Sequence, residues 1–260
     1  MRIYLINLAR RPDRLAAMLR QAAPLGLSLD RIEAVDASRE EPAALDRWFA
    51  PGGPLGEIPR GDKACFLSHR RAWEAFIANG ERHAVFLEDD VRLSAAAPKL
   101  LRTDVWIPDA VAVVKLEHYG PPGQRVLLDR IRKIGEDFSM GRMLSRHTGA
   151  AAYILSRRAA QALLDQRRFS LPVDHLLFNP NNSKLFAALS PWQLMPAIAR
   201  QKEFVGEKSD IEGTRTALRR LSGRYVMREL VRFAYDLRLL PLQFMALRRG
   251  AKFIAIKTSP

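Results

Sequence analysis

Apolar positions along the chain fall into short continuous runs that alternate with stretches of helical spacing. Ile3-Tyr4-Leu5-Ile6-Asn7-Leu8 is an apolar run of strand length, and behind Pro12 the residues Leu15, Met18, Leu19 and Ala22 recur at helical spacing. A second short strand is expected at Ile32-Glu33-Ala34-Val35, closed by Asp36. A Pro/Gly-rich loop from Pro51 to Pro59 then leads to a helix carrying Ala64, Leu67, Trp73, Phe76 and Ile77. His83-Ala84-Val85-Phe86-Leu87 reads as a buried strand, and so does Val111 to Leu116. An alternating segment from Val126 to Ile134, a small-residue run from Gly149 to Leu155 and a helix from Arg157 to Leu164 follow. Strands separated by helices predict an α/β sheet with parallel members, and such sheets bind ligands beyond the carboxyl ends of their strands. Asn7, Asp36 and the acids after Leu87 should therefore share one rim. No internal repeat of solenoid type is visible.

Composition narrows this picture. The chain has 260 residues, 48% hydrophobic and 27% charged, a balance that supports a packed core, and 15 Gly with 16 Pro excludes collagen-like and low-complexity readings. Cys65 is the single cysteine, which rules out an internal disulfide and a cysteine-based zinc or iron–sulfur site within one chain; it reads as a small core residue. The apolar run after Met1 is too short for a signal-peptide core, and no stretch approaches the about 18 uncharged apolar residues of a membrane span. A cytoplasmic protein is expected.

Charge changes the picture more. The 42 Lys and Arg outnumber 28 Asp and Glu, a net +14 that points to an anionic partner: nucleic acid, acidic lipid or a phosphorylated substrate. Between Arg215 and Pro260 stand 11 Lys or Arg against only Glu229 and Asp236. Arg220, Arg224, Arg228 and Arg232 recur every four residues, the spacing of one helix face, and Leu237, Leu239, Leu240, Leu242, Phe244, Met245 and Leu247 form an apolar stretch between Arg238 and Arg248-Arg249. This basic amphipathic tail suits an anionic membrane surface or packing on the rest of the chain. Nucleic acid is not expected as a partner, because no recognised binding module is present.

The candidate chemistry begins at Glu88-Asp89-Asp90. Three acids closing an apolar strand repel one another, so the arrangement is costly unless a cation or hydrogen-bond donors occupy it. Side chains alternate along a strand, so Glu88 and Asp90 point one way and Asp89 the other, an acid-x-acid pair able to grip Mg²⁺ or Mn²⁺. The alternative is a solvated strand end, or acids paired with some of the many arginines. Asn7, Arg11 and Arg14 follow the first strand, where an arginine can meet phosphate in a forked geometry or merely pair with Asp13. Asp36 ends the second strand, where a carboxylate accepts from ribose hydroxyls in dinucleotide folds.

With these motifs in place, the chain resembles glycosyltransferase family 25, the lipopolysaccharide and lipooligosaccharide glycosyltransferases. The resemblance is carried by Ile6-Asn7-Leu8 with Arg11-Pro12-Asp13-Arg14, by Gly61 to Trp73 with Cys65, Ser68 and His69, by Phe86-Leu87-Glu88-Asp89-Asp90, by Gly149 to Ser156 with Tyr153, and by Pro172-Val173-Asp174. It covers residues 1 to 211, with Ser209-Asp210-Ile211 as its last landmark. It implies a GT-A-like (Rossmann-like) fold with a mixed, mainly parallel sheet flanked by helices. A catalytic domain over residues 1–211 and a basic helical tail over 212–260 are expected.

The resemblance further implies a nucleotide-sugar donor, a Mn²⁺ or Mg²⁺ ion, inversion at the anomeric carbon, and galactose from UDP-galactose as the sugar moved. Glu88 and Asp90 match the outer acids of the family's acid-x-acid motif, which binds metal and donor ribose, Glu88 standing where the first Asp is usual; the metal is expected at Asp90 and Glu88 and the donor at Glu88 and Asp89, with the acid that touches the metal directly left open. The motif positions of Ser68 and His69 imply donor contact, although a lone His on a helix with Ala72, Trp73 and Phe76 also suits packing. Asp174 is the candidate base that takes the acceptor proton, with a helix N-cap as its alternative reading. His147 and His175 are candidate further metal ligands. The expected enzyme extends a glycolipid or oligosaccharide acceptor of the lipopolysaccharide core from the inner face of a bacterial inner membrane. Rival readings are another donor sugar, a protein acceptor, or a catalytically silent scaffold for envelope assembly.

Overall fold

The structure, a computed structural model, describes residues 1–121, 123–201 and 237–260. Strand β1 (Arg2–Asn7) runs parallel to β2 (Asp30–Glu33), and α1 (Pro12–Ala22) connects them. Pro12 stands in the first helical turn, where its missing N–H costs nothing, and Asp13 there complements the helix dipole; Met18 and Ala22 supply the buried side. After the short α2 (Pro42–Asp46), the 19-residue α3 (Arg60–Ala78) crosses one sheet face and delivers β3 (His83–Glu88) parallel to β1. Next come β4 (Val91–Leu93), α4 (Ala97–Leu101), β5 (Val113–Lys115), β6 (Glu117–His118) and the hairpin of β7 (Arg125–Ile134) and β8 (Phe138–Met143). Then follow β9 (Ala152–Ser156), α5 (Arg157–Leu164), α6 (Val173–Phe178), α7 (Phe186–Leu189), β10 (Trp192–Met195) and β11 (Ala199–Gln201). Helix α8 (237–248) and β12 (Lys252–Ala255) end the described chain.

The strands form a nine-stranded sheet in the order β12-β7-β8-β10-β5-β9-β3-β1-β2, and β4-β11-β6 make a smaller one. The expected mixed α/β sheet is therefore present. Among the described residues of the large sheet, the parallel ladders are β1–β2, β1–β3 and β5–β10. Antiparallel ladders join β7 to β8 and β12, β8 to β10, and β9 to both β3 and β5.

The central strands are apolar without interruption because both faces of the sheet are covered. From β1, Tyr4 and Ile6 enter a core with Trp73, Phe76, Phe86 and Tyr153. Ile3 and Leu5 enter the opposite core with Met18, Val85, Leu87 and Val114. Ser156 caps α5, accepting from the Ala159 N–H at 3.2 Å. Strand β2 starts and ends two residues before the expected span; beyond it the Ala34 N–H still reaches the Asn7 carbonyl, so the chain follows β1 to its end.

The expected boundary at residue 211 and the Arg220–Arg232 helix face lie outside the described residues. The terminal residues, which sequence alone assigns to the tail, complete the large sheet. β12 pairs with β7, Ala251 and Ile256 are buried, the Ala197 N–H donates to the Lys257 carbonyl, and the Ser259 N–H donates to the Ala197 carbonyl. Along helix α8 Leu239, Gln243 and Ala246 are half-buried, and the Gln243 amide donates to the Leu144 carbonyl at 3.0 Å. Leu237, Leu240, Phe244 and Leu247 form an exposed stripe beside that line. Among the described residues, no helix is long and apolar enough to cross a membrane.

Candidate functional site

Ile6 stands in register with Glu88, so β1 and β3 end together and the chain turns at the same rim. A cleft of about 460 Å³ opens there, with Glu88, Asp89, Asp90 and Asp174 on its walls and Arg10, Arg14 and Arg60 around them. The expectation that Asn7, Asp36 and the acidic trio share a rim holds for Asp36 and the acids, which line this cleft, whereas Asn7 is buried behind them and bonded to Asp89.

β3 closes at Glu88 and the two aspartates lie in the turn before β4; Glu88 and Asp89 take different partners. Asp89 accepts from Asn7 Nδ2 at 2.7 Å and from Arg14 at 3.2 Å. Glu88 faces α3: its Oε1 lies 3.0 Å from His69 Nε2 and 3.8 Å from the Cys65 sulfur. Asp90 is the costliest member, because its buried Oδ1 has no hydrogen-bond partner among the described residues. Burial first, then the charges of Glu117, Asp89 and Asp174, push the Glu88 carboxyl up to about 8. Burial and the Glu88 and Asp89 charges raise Asp90 well above the usual carboxylate range, with Arg14 opposing.

A hydrogen-bonded chain leads into Glu88 from the core. Trp73 Nε1 lies 2.9 Å from the Tyr153 hydroxyl, which lies 2.8 Å from His69 Nδ1. An indole N–H can only donate, so the tyrosine oxygen accepts from Trp73 and keeps a lone pair and its own hydrogen for Nδ1. On the other side of the ring Nε2 faces Glu88, so His69 links the two. Burial holds this imidazole neutral, its pKa down to about 3.

Other expected site residues have different work. Asn7 is buried and ties the turn together: Nδ2 also donates to the Arg11 carbonyl at 3.0 Å, and Oδ1 accepts from Arg31 at 3.1 Å. Arg11 forks onto Asp13 at 3.0 and 2.8 Å, the alternative foreseen for it, whereas Arg14 lines the cleft. Asp36 accepts from the Ser38 N–H and hydroxyl and from Arg10. The Ser68 hydroxyl accepts from the Val35 N–H and donates to the Ala64 carbonyl, both at 2.8 Å, which ties the end of β2 to α3.

His147, a candidate further metal ligand, is not among the residues that line the cleft. It is buried, with Nδ1 2.8 Å from Gln193 Oε1 and Nε2 3.1 Å from the Tyr119 N–H, so both ring nitrogens are engaged. His175, beside Asp174, has its Nδ1 2.8 Å from Asn179 Nδ2. Asp174 is no N-cap either: Pro172 holds that position, and no side chain caps α6. Asp174 Oδ2 lies 3.5 Å from the Gly149 N–H across the cleft from the acidic trio. Gly149 itself has φ +89°, and a Cβ there would come within 2.6 Å of the Tyr119 ring, so the close approach requires glycine.

Sequence reasoning missed a buried pair beneath this site. Lys115 Nζ donates to Glu117 Oε1 at 2.8 Å and to the Gly149 carbonyl at 2.5 Å, and it lies 4.5 Å from the centre of the Phe178 ring. Glu117 also accepts from the Ala151 N–H at 2.9 Å. Two charged residues spaced by two in an otherwise apolar strand were the available signal. Tyr119 and Gln201, which also line the cleft, carried none.

The family to which the sequence matches gives this cleft its class, that of a glycosyltransferase. The model of glycosyltransferase family 25, described as an LPS biosynthesis protein, matches residues 1–177, and the chain belongs to this family. It is 29% identical over 222 residues to the lacto-N-neotetraose biosynthesis glycosyltransferase LgtB of Neisseria gonorrhoeae, covering 78% of this chain and 75% of that one. The lipooligosaccharide biosynthesis protein lic2B of Haemophilus influenzae is 24% identical, with 76% and 75% covered. A glycosyltransferase 25 family member of Anopheles gambiae is 27% identical over 84% of this chain, which spans 39% of that longer protein.

Proposed function

We propose that the protein is a divalent-metal-dependent, inverting glycosyltransferase that moves galactose from UDP-galactose onto a lipooligosaccharide core glycan. The observation that carries the reading is the gathering of Glu88, Asp90 and Asp174 around one cleft, with a buried Asp90 oxygen left without a partner among the described residues. This donor set fits a hard cation, which takes carboxylate oxygens and relieves the repulsion that raises both acids. Glu88 and Asp90 would hold Mn²⁺ or Mg²⁺, and the ion would supply charge neutralisation for the departing diphosphate.

The chain's own residues account for the rest. Arg14, with Arg10 and Arg60, would meet the donor phosphates, and Asp36 would accept from the ribose. His69 orients Glu88 through the bond from Nε2. Asp174 would take the proton of the acceptor hydroxyl as that oxygen attacks the anomeric carbon; one displacement from the face opposite the leaving group inverts the centre. The printed names of the bacterial relatives support a lipooligosaccharide acceptor and argue against a silent scaffold.

The test supplies Mn²⁺, a panel of nucleotide sugars and a lipooligosaccharide acceptor, and assigns the linkage by NMR. A β-galactoside from UDP-galactose is expected, and Asp174→Asn should slow its formation roughly 10²–10⁴-fold, as loss of a general base does. Transfer from a different donor would refute the galactose assignment, and an Asp174→Asn enzyme at full rate would remove the base.

The exposed stripe of Leu237, Leu240, Phe244 and Leu247, with Arg238, Arg248 and Arg249 alongside, supports docking of α8 on an anionic membrane at the site of the acceptor lipid. Replacing Leu240, Phe244 and Leu247 together by Ser should abolish sedimentation with phosphatidylglycerol vesicles and leave the unfolding midpoint unchanged. Unaltered sedimentation would contradict this role for α8.

A further inference from the structure

Cys65 and His69 are four residues apart on α3, so both side chains leave the same face of the helix, and that face meets the end of β3 where Glu88 stands. The Cys65 sulfur, a His69 ring nitrogen and a Glu88 oxygen lie within 4.8 Å of one another. Within this group the His69 Nε2 to Glu88 Oε1 separation is 3.0 Å and the sulfur to Oε1 separation is 3.8 Å. Around a tetrahedral ion with bonds of about 2.0–2.3 Å to N, O and S, ligand atoms stand about 3.3–3.7 Å apart. Two edges of the group, nitrogen to oxygen and sulfur to oxygen, therefore already match such a tetrahedron to within a few tenths of an ångström, and the third is under 4.8 Å.

The surroundings are also those of a metal site. His69 is fully buried and its far nitrogen is held at 2.8 Å by the Tyr153 hydroxyl, itself anchored by Trp73, so the ring cannot swing away. Gln201 Nε2 stands 3.5 Å from the second Glu88 oxygen. Cys65 and Glu88 both line the cleft, which provides an entry path and room for a water at the fourth corner. Counting cysteines excludes only sites built from several of them; a mixed sulfur, nitrogen and oxygen set needs one.

We propose that Cys65, His69 and Glu88 form a site for a thiophilic divalent cation such as Zn²⁺, distinct in ligand chemistry from the all-oxygen pair Glu88 and Asp90 and competing with it for Glu88. On binding, the Cys65 thiol gives its proton to solvent and its thiolate becomes the sulfur ligand. The imidazole binds through Nε2, with its single proton on Nδ1 facing the Tyr153 oxygen. Thiolate and imidazole prefer borderline ions, whereas Mn²⁺ and Mg²⁺ prefer oxygen, so each ion selects its own set.

Cobalt reports this directly, because Cys65 is the only cysteine and a sulfur-to-cobalt charge-transfer band can arise nowhere else in the chain. Titrating the full-length, reduced, metal-free protein with Co²⁺ should produce that band at one equivalent, with visible bands of tetrahedral intensity, and one equivalent of Zn²⁺ should bleach both. Cys65→Ser, a near-isosteric change checked for an unaltered unfolding midpoint, should lose the band and weaken Zn²⁺ binding on the order of a hundredfold. His69→Gln should weaken it similarly. Absence of the band in the wild-type protein, or equal Zn²⁺ affinity in Cys65→Ser, would overturn the proposal. Metal binding is the readout, so the outcome is independent of whether the transferase reading survives.

Discussion

Glu88→Gln is expected to make the metal-free protein more stable at alkaline pH while removing its transferase activity. In the fold the Glu88 carboxyl is pushed from 4.5 up to about 8, so the folded state holds this proton more tightly than the unfolded chain does. That contribution to stability is fully present below pH 4.5 and is lost as the pH rises through about 8. Above it, an ionised Glu88 costs the fold a few kcal/mol. A glutamine keeps a hydrogen bond with His69 Nε2 and never ionises, so the gap between variant and wild type should open across this window and be widest at pH 9. Urea unfolding in EDTA at pH 5 and pH 9 measures it, and a variant no more stable than wild type at pH 9 would disprove the electrostatic assignment. With Mn²⁺ present the order should change, because an ion that binds only the folded wild type stabilises it in proportion to its concentration over its dissociation constant. Activity of the variant should fall on the order of 10²–10³-fold, the usual cost of losing one charge-stabilising group.

Lys115→Met should produce the largest loss of stability. The Lys115 and Glu117 side chains are both fully buried, and Glu117 Oε2 already lacks a partner among the described residues. Removing the lysine leaves a buried carboxylate with only the Ala151 N–H, a situation that costs about 3–5 kcal/mol. For a chain of this size that is a fall on the order of 10 °C in unfolding midpoint. The double variant Lys115→Met with Glu117→Gln should recover most of the loss, because the amide oxygen still accepts from Ala151 and no charge is stranded. If the single variant unfolds within about 1 kcal/mol of wild type, or the double variant is no better than the single, the pair is not what holds the floor of the cleft.

The acidic trio was legible in the sequence because its position does not depend on anything distant. An apolar strand that runs into three carboxylates has to end at water or at a cation, and β3 does so beside the equally apolar β1. Asp174 was legible through its motif, although its place across the cleft was not. The partners of His147 and Ser68 were not legible for one shared reason: a histidine or serine becomes a ligand or a brace according to which partner faces it. Here those partners are Gln193, 46 residues away, and Val35, 33 residues away.

The sequence by itself determined the alternation of strands and helices, the rim on which the acids lie, and the greasy, basic character of the terminal segment. Those follow from local periodicity and from charge, which a linear chain carries on its face. Only the tertiary structure decided that Lys115 neutralises Glu117 under the cleft, that Trp73 and Tyr153 dictate which nitrogen His69 offers Glu88, and that residues 252–255 close the far edge of the sheet. Each depends on pairing between residues far apart in the chain. No local pattern encodes such pairing; burial, which makes an unmatched charge or hydrogen-bond donor costly, enforces it once the sheet has formed.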